Sequence, residues 1–295
     1  MSPRVLIVLT QPVDPTIGGV QMSTVVMARM LVAEGCDVAV YSFERSGHIK
    51  LQGASFYAAS ASGNVDNAKN HRDLERCLAE FSPDVVINQM AYEHAITDTL
   101  KSASGVLLVA RLHNTLYSVR NNLDRYAEQV LPGSIARLAQ NPLGRAALLV
   151  VHRRRHARDL RRILLDYDRF VMFAEPNLEE LAYFMSNYHP ERVALIPNSV
   201  EAVAERLPTK EKRILWLGRV TEHQKRADLI LPLWQRLHAE LPDWQFDVVG
   251  DGPLLATLRE QATQLKIPRI NFYGRKTSTP FFQRASLFVM TSDFE

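Results

Sequence analysis

Short apolar runs, each followed by a stretch of helical periodicity, recur from one end of the chain to the other. That alternation narrows the fold more than any other feature. Residues 5–9 (VLIVL), 38–41 (VAVY), 85–88 (VVIN), 106–110 (VLLVA) and 170–173 (FVMF) are near-continuous apolar segments. Runs this short and unbroken read as strands covered on both faces, which is the habit of parallel sheets. Weaker strand patterns fall at 55–58 and 193–196. Helical patterns separate them: from Gly19 to about Glu34, then at 66–81 and 93–101. Others run from 123 to 165, with breaks at Pro132-Gly133 and Asn141-Pro142, and over 178–185 behind Pro176. Strands alternating with helices predict an α/β fold of doubly wound parallel sheets. Right-handed crossovers put the ligand face of such a sheet at the carboxyl ends of its strands.

The alternation pauses at 201–212, a polar segment with Pro208, and restarts with strands at 214–217, 246–249, 270–273 and 287–290. Helices are expected between them at 227–240, 254–265 and 280–285. Two domains follow, 1–200 and 213–295, joined by a linker over 201–212. A chain of 295 residues, 46% of them hydrophobic, has material for two cores. Its net charge of +3 is too slight to argue for nucleic acid, and no helix-turn-helix or RNA-binding signature is present. Cys36 and Cys77 are too few for a disulfide framework and are expected to be reduced and packed. The first apolar run is too short for a secretory signal, and no stretch nears the ~20 apolar residues of a membrane span. The expectation is a soluble, cytoplasmic protein.

Several strand ends carry residues suited to an anionic or sugar ligand. In residues 212–231 (KRILWLGRVTEHQKRADLIL), Gly218 and Arg219 follow the strand directly, and Lys225 stands six residues beyond Arg219, as a helix begins. Two cations there can offset a diphosphate, although such a pair alone is more often solvated loop charge. Gly18-Gly19 opens the first helix, and glycines at that point let a ligand approach free backbone amides. No third glycine or strand-end acid completes a dinucleotide fingerprint, which excludes a nicotinamide-type site. Gly250-Asp251-Gly252-Pro253 links another strand to a helix, either as a turn that admits a nucleotide or as an ordinary tight turn. His113 follows the strand at 106–110 and could donate a hydrogen bond to a sugar hydroxyl or phosphate, though a lone loop histidine is more often structural. His48, His71 and His94 lack ligand spacing, so no metal site is expected. Residues 152–162 (HRRRHARDLRR) hold Arg153, Arg154, Arg155, Arg158, Arg161 and Arg162. On a helix these form a basic surface for anionic lipid or a phosphorylated acceptor, or a solvated face paired locally with Asp159 and Asp166.

Taken together, the segments PTIGGVQ, ARLHN, ALIPNSVE, ILWLGRVTEHQKR, FDVVGDGPLLATL, INFYGR and LFVMTSDFE resemble the retaining, metal-independent glycosyltransferases of family 4, which have the GT-B fold. They fall in the family's order and span nearly the whole chain. The resemblance is strongest to enzymes that build bacterial capsular, exopolysaccharide or lipopolysaccharide chains. It implies two Rossmann-like domains facing a cleft. It also implies transfer of a sugar from a UDP- or GDP-linked donor, without a cofactor, to a saccharide or lipid-linked acceptor. Gly18 and Gly19 match the family's glycine loop near the donor diphosphate, and His113 matches a histidine that contacts the donor sugar. Arg219 and Lys225 match the pair that clamps the diphosphate and stabilises leaving-group charge in place of a metal. Gly250, Asp251 and Gly252 match the nucleotide-base side of the pocket. Glu295 matches the first glutamate of a pair, the one that approaches the donor sugar. Retention is then explained by front-face attack without an enzymic nucleophile. The six arginines would serve peripheral contact with the inner face of an anionic membrane.

This sequence departs from the family pattern in places. Ser199 and Glu201 stand where glycine and aspartate are usual, and the gap between Arg219 and Lys225 is longer than in much of the family. Family members continue for several tens of residues past the position of Glu295, through a second glutamate that binds the ribose. The second domain is therefore expected to be truncated, its sheet short of covering helices and exposing apolar surface, with weak or absent turnover by this polypeptide. Two other readings stay open. One is a GT-B nucleotide-sugar epimerase or phosphorylase-like relative, the other a non-catalytic binding or scaffold protein descended from a transferase.

Overall fold

A computed structural model describes residues 2–15, 17–44, 51–61, 64–130, 132–137, 141–199, 209–222 and 224–293. The chain divides into two compact units, 1–201 and 202–295. Of the expected linker, 201–208 lie outside the described residues, whereas Glu211 and Lys212 already belong to a strand.

The first unit begins with Arg4–Leu9 (β1), Gly19–Ala33 (α1), Asp37–Ser42 (β2), Ala54–Ala58 (β3) and Ala68–Phe81 (α2). Val85–Asn88 (β4), His94–Leu100 (α3) and Leu107–Arg111 (β5) follow. Four helices come next: Ser118–Asn121 (α4), Leu123–Val130 (α5), Gly133–Ala136 (α6) and Pro142–Asp166 (α7). The unit closes with Arg169–Met172 (β6), Pro176–Phe184 (α8) and Val193–Leu195 (β7). Its seven strands are all parallel, in the order β3-β2-β1-β4-β5-β6-β7.

β1 shows why the apolar runs are unbroken. Leu6 and Val8 enter one core with Leu74, Cys77 and Phe81 of α2 and Ile163 of α7. Ile7 and Leu9 enter another with Val25 and Ala28 of α1. Both faces are covered, so every position is apolar, each large side chain contributing about 1.5–3 kcal/mol by burial. Helix starts are set by asparagine: Asn67 accepts from the Lys69 amide at 2.9 Å ahead of α2, and Asn141 from the Leu143 amide at 2.9 Å ahead of α7. Cys36 and Cys77 are both free, and burial pushes the Cys77 thiol up to about 12, which makes it unreactive.

The second unit contains Glu211–Leu217 (β8), a 3₁₀ turn at Ala227–Leu229, Ile230–Leu237 (α9), Gln245–Val249 (β9) and Leu255–Gln264 (α10). Ile270–Gly274 (β10), Thr279–Arg284 (α11) and Ala285–Val289 (β11) complete it. The four strands are parallel, in the order β10-β9-β8-β11. One face packs Trp216, Phe246 and Val248 against Trp234 of α9 and Leu258 of α10. The other is thinner: Leu215, Val249 and Ala285 meet Phe281 of α11. It also buries Asp247, 1% exposed, whose carboxylate accepts from Arg213 at 3.0 Å, Arg284 at 3.2 Å, Asn271 at 3.0 Å and Tyr273 at 3.3 Å. Leu287, Phe288 and Met290 remain 50%, 44% and 57% exposed, so the β11 edge of this sheet carries apolar surface, as expected.

Candidate active site

In the first unit a pocket of about 310 Å³ opens at the carboxyl ends of β1, β4 and β5. The strand order reverses between β1 and β4, the place where open α/β sheets take their ligands. Thr10 and Gln11 line it after β1, residues 89–92 after β4 and 112–116 after β5, with Gln21 of α1 and His156 of α7.

His113 lies in this pocket. Its ring tilts against Phe173 at 6.1 Å, and its Nε2 is buried without a hydrogen-bond partner among the described residues. Burial, helped by the charge of Arg111, holds the imidazole at about 4, so it is neutral near pH 7. Glu180 of α8 fixes the loop behind it by accepting from the Leu116 amide at 2.7 Å and from the Thr115 hydroxyl. Arg111, 8% exposed at the end of β5, donates to Asn198 Oδ1 at 2.9 Å, and Ser23 of α1 donates to the same oxygen at 3.1 Å. Neither Arg111 nor Asn198 is singled out by the sequence motifs that contain them, yet together they join β5 to α1. A cation directly ending an apolar strand is the signal that points to such a buried tie. Above α1, Gly18 is extended (φ −179°) and a Cβ on Gly19 would meet nothing within 4 Å. No side chain caps this helix start, which leaves its amides to water or a ligand.

In the second unit Arg219 is exposed just past β8. The aliphatic part of Lys225 lies along Gly218, its Cδ 3.5 Å from where a Cβ would stand. The Lys225 carbonyl accepts from the Thr291 hydroxyl at 2.7 Å, and that hydroxyl accepts from Trp216 Nε1 at 2.9 Å. Arg226 pairs with Asp228 at 2.9 Å and with Asp293 at 3.3 Å, hydrogen bonds that raise its already high pKa. The loop bearing Lys225 is thereby held against the segment following β11. Both cations thus belong to the carboxyl end of β8, while Glu295 lies outside the described residues.

The glycines of the next turn have a demand of their own. Gly250 sits at φ +142°, and a Cβ on it would stand 1.8 Å from the Gly218 carbonyl oxygen; on Gly252 it would stand 2.5 Å from the Val220 carbonyl oxygen. The Val220 amide donates to the Asp251 carbonyl at 3.0 Å, and the Leu254 amide to the Val220 carbonyl at 3.2 Å. The loops after β8 and β9 therefore touch backbone to backbone, and only glycine fits between them. Asp251 is exposed and accepts from the Gly252 amide at 2.8 Å.

The arginine run falls on α7. Arg153, Arg154, Arg155, Arg158 and Arg161 are exposed, whereas Arg162 pairs with Asp98 at 2.6 Å and Asp166 at 3.3 Å. Asp159 faces His94 at 3.5 Å. Spacings of seven, four, four and three put exposed Leu143, Val150, Arg154, Arg158 and Arg161 on one stripe. Among the described residues no helix is long and apolar enough to cross a membrane, and no three His, Cys, Asp or Glu side chains are grouped to hold a metal ion.

Residues 17–204, the segment with His113 and most of its pocket, match the family model described as Glycosyltransferase Family 4. The chain belongs to glycosyltransferase family 4. Residues 211–295 of this family 4 transferase, with Arg219 and Lys225, match the model described as Glycosyl transferases group 1. No curated protein sequence matches it. Among solved structures, WaaG, a glycosyltransferase involved in lipopolysaccharide biosynthesis, is 14% identical with a TM-score of 0.65, over 98% of this chain and 75% of that one. HepE of Anabaena in complex with UDP and glucose is 14% identical with a TM-score of 0.63, over 98% and 74%. Sucrose-phosphate synthase of Thermosynechococcus elongatus is 15% identical with a TM-score of 0.65, over 100% and 76%. At these identities the likeness is one of fold, the GT-B fold of the glycosyltransferases.

Proposed function

We propose that this family 4 transferase moves a hexosyl or related sugar, with retention, from a UDP- or GDP-sugar to a saccharide or lipid-linked acceptor of a cell-surface polysaccharide. The observation that carries this reading is the pair Arg219 and Lys225 at the end of β8, inside the segment matching the group 1 model. There they would meet the donor diphosphate and take up negative charge as the bond from sugar C1 to the phosphate oxygen breaks. The acceptor hydroxyl attacks from the same face, and its proton passes to the departing phosphate oxygen. His113, being neutral, would offer an N–H to the donor sugar and no charge to the phosphate. Gly18 and Gly19 would bring the amides of α1 near the diphosphate, Gly250, Asp251 and Gly252 would border the base, and Glu295 would approach the donor sugar. The UDP in the Anabaena HepE complex supports a nucleoside-diphosphate donor.

Calorimetric titration of UDP and GDP without added metal tests this. Micromolar binding of one of them is expected, weakened by about tenfold or more in Arg219→Ala. Equal affinity in the variant would remove Arg219 from the diphosphate site, and no binding by the folded chain would remove the whole reading.

We further propose work at the inner face of the cytoplasmic membrane, supported by the stripe on α7 that exposes Leu143, Val150, Arg154, Arg158 and Arg161. Each arginine near an anionic surface contributes about 1 kcal/mol. The protein should sediment with phosphatidylglycerol vesicles and not with phosphatidylcholine ones. A variant combining Arg154→Glu, Arg158→Glu and Arg161→Glu should stay in solution; if it still sediments, α7 is not the contact.

A further inference from the structure

β10 is an edge strand: β9 pairs with it on one side, and among the described residues no strand flanks the other. Its register shows which backbone groups the open side carries. The Phe246 amide donates to the Arg269 carbonyl, and Phe246 is the partner of Ile270. In a parallel pair this turns the backbone of Asn271 to β9 and the N–H and C=O groups of Ile270 and Phe272 outward. The position of Arg259 agrees, since its Nη2 donates from α10 to the Phe272 carbonyl at 2.9 Å. Along this edge runs an open groove of about 530 Å³, lined by Arg259 and Thr263 of α10 and by Lys266, Ile267, Ile270 and Phe272. We propose that the groove takes an extended acidic peptide of a partner protein, which joins the sheet as a further strand beside β10. The proposal does not depend on the transferase reading.

Backbone, floor and rim of the groove each select that occupant. Outward N–H and C=O groups on alternate residues are what an added strand bonds to. The floor is apolar: Ile270 and Phe272 pack only partly into the core that buries Ile267, and their half-buried side chains can meet alternate side chains of the newcomer. The rim is basic. Arg259 and Lys266 are exposed, and neither has an ion-pair partner among the described residues. While Nη2 of Arg259 holds the Phe272 carbonyl, its other N–H groups can take a carboxylate.

Charge also decides against two alternatives. From 255 to 276 the chain holds five arginines and lysines and one acid, Glu260, so a second copy pairing edge to edge would set these cations against their equivalents. Nucleic acid would use the cations and leave the strand edge and the apolar floor unmet. The two rim cations are seven residues apart, about 10 Å by helical rise. An extended strand covers that length in about three residues, so carboxylates two or four residues apart on one face of the peptide reach both.

Fluorescence anisotropy of the full chain with a fluorescein-labelled heptapeptide alternating valine with glutamate tests the proposal. Binding in the range of about 10 μM is expected, and none by the same peptide with lysine in place of glutamate. Arg259→Glu combined with Lys266→Glu should weaken binding about tenfold or more, with tryptophan emission reporting that the second unit stays folded. Methylating the peptide's backbone nitrogens should weaken it as much in the unaltered protein, an arm that needs no variant to fold. Bound peptide should also slow amide exchange at Ile270 and Phe272. No binding would mean that Arg259 and Lys266 only guard the edge. That result, equal affinity for the lysine or the methylated peptide, or displacement of the glutamate peptide by an oligouridylate would each overturn the proposal.

Discussion

Gly250→Ala is expected to lower the stability of the second unit by about 4 kcal/mol or more, since it adds positive-φ strain to backbone overlap. A Cβ at 1.8 Å from the Gly218 carbonyl oxygen cannot be relieved by a rotamer change, because the obstacle is backbone. The loops after β8 and β9 must separate, and with them go the hydrogen bonds from Val220 to Asp251 and from Leu254 to Val220. A loss of that size approaches the whole stability of a small domain. Trp216, Trp234 and Trp244 are the chain's three tryptophans and all lie in the second unit, so guanidinium unfolding followed by their emission reads that unit alone. Gly19→Ala is the contrast: with open space at its Cβ, it should stay within about 1 kcal/mol of wild type. A wild-type midpoint for Gly250→Ala would mean that the two loops do not press together.

Asp247→Ala is the second large effect, at about 3–5 kcal/mol in the same titration. The carboxylate is the shared partner of Arg213 and Arg284 on the thin face of the second sheet, and removing it leaves two guanidiniums facing each other beside Leu215 and Val249. Asp247→Asn keeps an acceptor of the same shape but gives up the charge, and should fall between the two. A loss below about 1 kcal/mol in the alanine variant would show that water replaces the carboxylate there.

Much of the fold was legible because burial on both faces writes itself as an unbroken apolar run. β4 stands where VVIN predicts it, at Val85–Asn88. β5 begins one residue late, at Leu107, the residue that pairs with Val85 of β4, although Val106 before it is apolar too. The helix read as 227–240 opens as a 3₁₀ turn and ends at Leu237, since apolar spacing does not distinguish the tighter winding. His113 and Arg219 were visible for a different reason: they sit just beyond strands, where little else constrains a cation or an imidazole, and Lys225 stands just ahead of the next helical turn. Gln89, Arg111 and His156 were not. Whether they are buried depends on which helix lies over which strand end, and that is fixed only by tertiary packing. Asp247 had a faint signal, a lone acid inside QFDVV. The glycines at 250 and 252 carried a signal with two meanings, and their close packing supplies one of them whatever ligand the turn meets.

The clasp between Thr291 and the Lys225 loop has a consequence for the order of events during synthesis. Thr291 stands 66 residues after Lys225 and 75 after Trp216, the two groups its hydroxyl joins. A nascent chain presents β8, β9 and β10 to one another well before β11 leaves the ribosome, and β11 then docks beside β8 at the sheet edge. The strand that leads to the cations is thus among the first pieces of its unit to exist, while the loop that carries Lys225 gains its clasp only after β11 and Thr291 have followed. Translation has to reach residues 291–293 before that loop acquires its shape.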